Sequence, residues 1–88
     1  MKTFKVEIMT PDRTVYTGEA ESLVLDGEQG SFGILAGHTP LVARLRPGRV
    51  AFSRDGQDTV YRSGAGFVRV SGGGVSILLD DIREAASS

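Results

Sequence analysis

The stretch GEQGSFGILAG, residues 27–37, places four glycines within eleven residues, around a few apolar side chains. Glycine at this density is unfavourable in a helix and weakens a long strand. The stretch therefore predicts a loop, a short strand and a second loop. Gly27, Gly30 and Gly33 also have the spacing of a phosphate-binding loop, but no lysine and no helical segment follow them. Glycines selected for positive φ angles and close backbone packing are the favoured interpretation.

The segments on both sides of this stretch alternate between apolar and polar residues, which is the period of a half-buried strand. Strands are predicted at 4–8, 14–17, 19–25, 41–46, 49–54, 59–62, 67–70 and 75–79. Turn signals separate these strands, at Pro11-Asp12, Asp26-Gly27, Pro47-Gly48, Asp55-Gly56 and residues 71–74. The second strand is expected to end at Gly18, and hairpins are expected at Pro47-Gly48 and at residues 71–74.

Eight or nine short strands at intervals of about 8 to 12 residues, without a long helical segment, are typical of an all-β fold. We predict an antiparallel β-sandwich or flattened barrel, in a single domain that spans residues 1–88. Only residues 80–86 could form a turn or two of helix, and Ile82 is the one large apolar residue there.

Charge and composition exclude several classes of function. Ten Lys and Arg against eleven Asp and Glu give a net charge of −1, so there is no electrostatic reason to expect nucleic acid or an anionic membrane as a direct partner. The absence of cysteine excludes a disulfide framework, a Cys-ligated zinc and a thiol nucleophile. The apolar runs are far shorter than the roughly 20 residues that span a bilayer. The N-terminus also lacks the apolar segment of a signal peptide.

His38 is the only histidine, and no serine lies in a nucleophile-elbow sequence that would support a Ser-His-Asp triad. One histidine with scattered carboxylates also lacks the spacing of a metal site. A loop histidine that hydrogen-bonds locally or touches a partner is the simpler interpretation. We therefore expect no catalytic residue, no metal and no cofactor, in a domain that binds rather than catalyses.

Six arginines fall in or near predicted strands: Arg44, Arg46, Arg49, Arg54, Arg62 and Arg69. Arginine is enriched at protein interfaces, but it is also common on a solvated sheet face. The sequence leaves both interpretations open. The acidic residues Asp80, Asp81 and Glu84 are interpreted as a solvated chain end.

Residues 30–42, GSFGILAGHTPLV, and residues 45–48, LRPG, together closely resemble the glycine-rich segment of the ATP synthase epsilon subunit, called delta in mitochondria. Further similarity covers residues 4–12, 63–70 and 75–80, in the family's order and spacing over nearly the whole chain. The resemblance implies a ten-stranded β-sandwich, the N-terminal domain of a rotor subunit at the foot of the central stalk. It also implies a subunit that performs no bond chemistry itself.

The resemblance further implies partners and a location. In the family this domain packs against the gamma subunit and sits on the polar loops of the membrane c-ring, so that proton-driven rotation of the ring reaches the catalytic head. The chain would thus be peripheral to the membrane through the complex, on the cytoplasmic face in a bacterium. The c-ring contact falls on Glu28, Gln29, Gly30, Ser31 and Phe32. The gamma contact falls on Thr10, Leu35, His38, Thr39, Pro40 and Leu41.

Three features depart from the family's pattern. Ser31 stands where the family often carries an acidic residue, so a charge contact with the ring is either missing or supplied by Glu28. Ala36 stands where proline is common, which loosens the loop without changing its role. The chain ends at Ser88 without the two long helices that inhibit ATP hydrolysis in the family, and we expect that function to be absent. Residues 79–83 share only part of a helix motif associated with ATP binding, which we interpret as coincidence.

Alternation also predicts that only one of Leu41 and Val42 faces the core. Two other functions stay open from the fold class alone. One is a free-standing β-sandwich that binds a carbohydrate or a peptide, because a fold does not determine a function. The other is a small hydrolase that uses His38, which would require a site that no motif in the chain indicates.

Overall fold

The computed structural model describes residues 2–84, which form nine strands without a helix. The strands are β1 Phe4–Met9, β2 Thr14–Ala20, β3 Ser22–Gly27, β4 Gly30–Leu35, β5 Leu41–Arg54, β6 Gln57–Ser63, β7 Gly66–Ser71, β8 Gly74–Leu79 and β9 Ile82–Glu84. The prediction of an all-β fold is confirmed. So are the turns at Pro11-Asp12 and Asp55-Gly56, and the hairpin between β7 and β8.

The strands form one curled sheet in the order β2-β1-β8-β7-β5-β3-β4, and β6 pairs with both β5 and β9. The pairings within residues 2–84 are antiparallel except one: β1 and β8 run parallel, with Val6 opposite Val75 and Ile8 opposite Ile77. The prediction of a purely antiparallel sheet did not include this pair. A hairpin fixes the direction of consecutive strands only, so local patterns carry no information on how the first strand meets the eighth.

Strand β5 runs for 14 residues through Pro47-Gly48, where the sequence predicted a hairpin. That prediction is wrong, because the strand bends at this point and passes from one half of the sheet to the other. Residues 41–45 pair with β7, whereas residues 48–54 pair with β6. The register of β3 against β5 shifts between Leu25 and Gly27, as at a β-bulge, where proline is tolerated. Counting the two halves of β5 separately gives the ten strands that the resemblance implies.

Further boundaries differ from the prediction. Strand β3 includes Asp26-Gly27, where a turn was predicted, and the turn lies at residues 28 and 29. Strand β2 continues through Gly18 to Ala20. A Cβ at Gly18 would lie 2.5 Å from the Tyr16 hydroxyl oxygen, so this glycine makes room for an aromatic ring and does not end the strand. Ile82–Glu84 form β9, where a helical turn was allowed. Ile82 is buried, and its burial against the core favours the extended pairing with β6. Residues 85 and 86 of the allowed turn lie outside the described residues.

The core lies inside the curl of the sheet and follows the predicted alternation. Tyr16 of β2 and Phe52 of β5 meet across it, with ring centroids 4.5 Å apart, so the two halves of the sheet face each other. Within residues 2–83 no polar or charged residue is buried. The buried residues are Val6, Ile8, Ala20, Leu23, Leu25, Ile34, Leu45, Val50, Phe52, Val68, Val70, Val75, Ile77, Leu79 and Ile82.

Candidate partner-binding surfaces

The residues predicted to contact the c-ring form the tip of the β3–β4 hairpin. Glu28 and Gln29 make the turn, and Gly30 follows with a φ of 131°, a conformation that glycine adopts readily. Glu28, Gln29, Gly30 and Ser31 are exposed. Phe32 instead packs against the core, and a Cβ on Gly27 would lie 2.9 Å from its ring. The tip therefore presents polar groups to solvent, and the Phe32 ring anchors it to the core.

Asp26 joins this hairpin to β5. Its Oδ1 accepts a hydrogen bond from the Ser31 hydroxyl at 2.6 Å, and its Oδ2 accepts one from the backbone N–H of Arg49 at 2.9 Å. The pKa of Asp26 is lowered, and the hydrogen bond from Ser31 is the main cause. Partial burial of the carboxyl group opposes this shift. The Arg49 N–H and the charges of Arg46 and Arg49 lower the pKa further. We call Asp26, Ser31 and Arg49 the Asp26 clamp.

Sequence reasoning missed the Asp26 clamp. Asp26 and Arg49 are 23 residues apart, and nothing in the local pattern links them. The glycine at position 48 is the one indirect indication of the clamp in the sequence. A Cβ at Gly48 would lie 2.5 Å from Asp26 Oδ2, so the clamp requires glycine at this position.

Most residues predicted to contact gamma lie at the other end of β4. The Leu35 carbonyl accepts a hydrogen bond from the His38 N–H at 3.1 Å, and Gly37 has a φ of 83°. Leu35 is 63% exposed, and Thr39 and Pro40 are exposed as well. The Nδ1 of His38 lies 2.6 Å from the Thr39 carbonyl oxygen and donates to it, which is a local role for this histidine.

The predicted alternation at Leu41 and Val42 is confirmed. Leu41 packs against the core and Val42 is 71% exposed. The inward residue is thus the one that the resemblance assigned to gamma, and only part of its surface is open to a partner.

An open groove of about 520 Å³ between β4 and the first half of β5 joins the two predicted contact sets. Gln29 and Gly30 line one part of it, and His38 and Leu41 line another. Thr10 does not belong to this group. It follows β1, which is three strands from β5 in the sheet, and its backbone pairs with Arg13 in the β1–β2 turn.

Sequence analysis also missed an apolar surface, the Phe67 patch, made of the exposed residues Val42, Phe67 and Leu78 and the half-buried Met9. Met9, Leu78 and Phe67 are opposed in register across β1, β8 and β7. Phe67 and Leu78 are each 47% exposed, and the Arg44 guanidinium lies 5.6 Å from the centroid of the Phe67 ring. The signal was available, because alternation places Phe67 on the same face as Arg69.

The residues that the structure describes contain no group of three or more His, Cys, Asp or Glu side chains placed to hold a metal ion. None of their elements is a helix of the length and apolarity that a bilayer requires.

Sequence comparison identifies relatives of this chain. Residues 3–85 match the family described as "ATP synthase, Delta/Epsilon chain, beta-sandwich domain". The chain is 41% identical over 88 residues to the ATP synthase epsilon chain of Bordetella parapertussis and 39% identical to that of Bordetella petrii. Each alignment covers 98% of this chain and 62% of the relative, so the chain spans less than two thirds of the curated relatives' length.

Comparison with solved structures agrees on the fold. A chain of the Euglena gracilis mitochondrial ATP synthase, in a cryo-EM structure of OSCP, F1 and the c-ring, superposes with a TM-score of 0.88 at 22% identity, over 93% of this chain and 53% of that one. A chain of the Tetrahymena thermophila mitochondrial ATP synthase central stalk and c-ring gives 0.78 at 15% identity, over 94% and 67%. With its nine-stranded sheet and the match over residues 3–85, the chain belongs to the ATP synthase delta/epsilon family and carries that family's β-sandwich domain.

Proposed function

We propose that this chain is a rotor subunit of an F-type ATP synthase, which transmits rotation of the c-ring to the catalytic head through the gamma subunit. It performs no bond chemistry in this role. Family membership supports the proposal, as do relatives named ATP synthase epsilon chain and structural neighbours from two ATP synthase assemblies with a c-ring, one of which is described as central stalk and c-ring. The subunit would be peripheral to the membrane, on its cytoplasmic face in a bacterium.

The observation that carries the proposal is the position of the two predicted contact sets at opposite ends of β4. The hairpin tip precedes this strand, and the turn from Leu35 to His38 follows it. Six residues of extended strand span about 20 Å. β4 pairs with β3 from Gly27 opposite Gly30 to Ser22 opposite Leu35, so a full ladder of hydrogen bonds supports the link between the ends.

The side chains at the hairpin tip suit a contact with the polar loops of the c-ring. Glu28 and Gln29 are exposed, and the Glu28 backbone N–H donates to the Arg44 carbonyl at 3.1 Å, which fixes the direction of the turn. The Ser31 hydroxyl is engaged by Asp26. In this proposal Glu28 therefore supplies the charge contact with the ring.

The side chains at the other end of β4 suit a contact with the gamma subunit. Leu35 and Pro40 expose apolar atoms beside the exposed polar residue Thr39, and His38 lies between them in the chain. Such a mixture of apolar residues with a polar rim is typical of a protein interface. Thr10 would need a separate contact with gamma, because it lies three strands away from β5.

Co-purification of the tagged chain from its host's membranes tests the proposal, with mass spectrometry of the recovered proteins. We expect gamma, the catalytic subunits and the c-ring. Recovery of none of them would overturn the rotor role and favour the free-standing binding module.

Leu35→Asp tests the gamma contact, because Leu35 is 63% exposed and its replacement spares the core. We expect ATP-driven proton pumping to fall about tenfold or more, as for a charge placed in an apolar contact. Leu78→Asp is the matched control: Leu78 is 47% exposed on the Phe67 patch, outside the predicted gamma set. Equal losses in the two variants would contradict the assigned contact.

A further inference from the structure

The dipeptide Asp-Gly occurs twice in the chain, at residues 26–27 and at residues 55–56, and the sequence contains no asparagine. An Asp-Gly pair is open to an internal reaction, because glycine has no Cβ to shield its backbone nitrogen from the preceding carboxyl group. The fold places the two pairs in opposite environments. The first pair ends β3, whereas the second pair forms the exposed turn between β5 and β6.

The structure holds both reacting groups of the first pair in place. Both oxygens of the Asp26 carboxyl group accept hydrogen bonds in the Asp26 clamp. Gly27 is buried and lies opposite Gly30 in the β3–β4 ladder. A Cβ at Gly27 would lie 2.9 Å from the Phe32 ring, so the space around this glycine is filled. The carboxyl group of Asp26 therefore cannot turn toward the Gly27 nitrogen without breaking these contacts.

The second pair is a two-residue turn, with Arg54 opposite Gln57 as the last pair of the β5–β6 ladder. Asp55 has a φ of 53° and Gly56 has a φ of 77°, the positive angles of a type I′ turn. The Asp55 side chain is 84% exposed, and its carboxylate lies 3.7 Å from Arg54 Nε in an exposed ion pair, which holds it only weakly. A Cβ at Gly56 would meet nothing within 4 Å, so the space beside this glycine is open.

We propose that Asp55-Gly56 is a site of backbone isomerisation, at which aspartate is converted to isoaspartate in the folded protein. The Gly56 nitrogen attacks Cγ of the protonated Asp55 carboxyl group. A Cγ–N bond forms and the Cγ–OH bond breaks, so that one water leaves with the amide proton and a five-membered succinimide ring remains. Water then adds either to Cγ, which restores aspartate, or to the main-chain carbonyl carbon of Asp55. The second addition breaks the bond from that carbon to the Gly56 nitrogen and gives isoaspartate.

The product creates a chemical group that the unmodified chain lacks at this turn. In isoaspartate the main chain runs through Cγ and the α-carboxylate is free, while the charge and the mass of the residue are unchanged. Residues 54–58 are all exposed, so the longer main chain of the turn displaces no core side chain. Isoaspartate methyltransferases transfer a methyl group from S-adenosylmethionine to such an α-carboxylate. The modified turn would be a substrate for an enzyme of this class.

The four other aspartates of the chain precede arginine, threonine, aspartate or isoleucine, whose side chains crowd the attacking nitrogen. Asp55 is thus the one aspartate that combines a following glycine with an exposed and weakly held carboxyl group. The reaction is independent of the proposed rotor function, because it needs only the atoms of this turn and water.

The experiment ages the folded chain at physiological temperature and neutral pH and compares it with the unaged chain. Mass spectrometry with electron-transfer fragmentation distinguishes isoaspartate from aspartate, and isoaspartate methyltransferase with methyl-labelled S-adenosylmethionine detects it independently. We expect isoaspartate and methyl label at Asp55, a transient species lighter by one water, and no isoaspartate at Asp26. Isoaspartate at both aspartates to the same extent, or none at Asp55, would overturn the proposal.

The chain unfolded in urea is the control for the role of the fold. There the two Asp-Gly pairs should isomerise to a similar extent, because the contacts that protect Asp26 are lost. Protection of Asp26 in urea as well would contradict the assignment of its protection to the Asp26 clamp and the packing of Gly27.

Two substitutions of Asp55 test the chemistry. Asp55→Glu would require a six-membered ring, so methylation of the aged chain should be lost. Asp55→Asn forms the same five-membered ring with loss of ammonia and needs no protonated carboxylate, so isoaspartate should form faster. Asp58→Glu is the matched control, at an exposed aspartate that precedes threonine, and should leave the reaction at Asp55 unchanged. Methylation that persists in Asp55→Glu would place the reaction elsewhere and contradict the proposal.

Discussion

The two ends of β4 are held in different ways. At the hairpin tip, the Asp26 clamp connects β3, β4 and β5 through side-chain hydrogen bonds, one of which joins residues 23 apart. At the other end, one backbone hydrogen bond from His38 to Leu35 and one glycine close a turn within four residues. Long-range contacts thus hold the tip, whereas only local contacts close the turn. We call the tip the rigid end of β4 and the turn its adaptable end.

Gly48→Ala should destabilise the rigid end, with the largest loss of stability among these predictions. A Cβ at Gly48 would lie 2.5 Å from Asp26 Oδ2 and 2.9 Å from Asp26 Cβ, so the clamp must open or β5 must shift. We expect a loss of about 2–4 kcal/mol in the free energy of unfolding, measured by urea denaturation. Gly33→Ala in β4 is the matched control, because its Cβ would meet only the Leu23 carbonyl at 3.7 Å. Similar losses for both variants would show that the clamp is not the cause.

Asp26→Asn should weaken the same end by less, about 1–2 kcal/mol at neutral pH, because a hydrogen-bonded carboxylate becomes a neutral amide. The sign of the pH effect follows from the lowered pKa of Asp26. Its stabilisation is fully present above the ordinary value of 3.8 and is lost as the pH falls through the lower pKa of the folded state. Melting temperatures between pH 7 and pH 2.5 check this.

In that pH series the wild type should lose more stability below pH 4 than Asp26→Asn does. Ser31→Ala should raise the pKa of Asp26, because it removes the main cause of the shift. Ser76→Ala, at an exposed serine of β8, should leave it unchanged. Parallel acid profiles for the wild type and Asp26→Asn would contradict the assignment.

Ala36→Pro should stabilise the adaptable end, and we expect this change in stability to be the smallest of those predicted for β4. Ala36 is the second residue of the turn and Gly37, with its φ of 83°, is the third, which is the arrangement in which proline is favoured at the second position. We expect a gain of about 0.4–1 kcal/mol, seen as a rise of a few degrees in melting temperature. Gly37→Ala should lower it, since alanine is strained at that φ. A lower melting temperature for Ala36→Pro would mean that the turn needs the Ala36 N–H.

Much of the fold followed from local patterns. Alternation identified the strands and the inward position of Leu41, and turn residues placed the connections from β5 to β6 and from β7 to β8. The failures occur where distant segments decide the outcome. Pro47-Gly48 is a bend because β3 and Asp26 meet β5 there, and residues 82–84 are extended because β6 and the core receive Ile82.

The candidate binding surfaces show the same difference between local and long-range contacts. The hairpin tip and the turn from Leu35 to His38 came from a continuous stretch of sequence, and the structure places each as a compact unit. The Asp26 clamp and the Phe67 patch depend on register between strands that are far apart in the chain. Six arginines could be named from the sequence, but only pairing shows that Arg49, Arg62 and Arg83 are adjacent.

The parallel pairing of β1 with β8 determines the order in which this domain can be completed during synthesis. β1 and β2 leave the ribosome first, yet the second edge of β1 stays unpaired until residues 75–78 have emerged. Until then the hairpin exposes Val6 and Ile8, which are buried in the finished sheet. Such long-range pairing slows folding and exposes strand edges to aggregation. Most of the domain must therefore be synthesised before its first strand is protected.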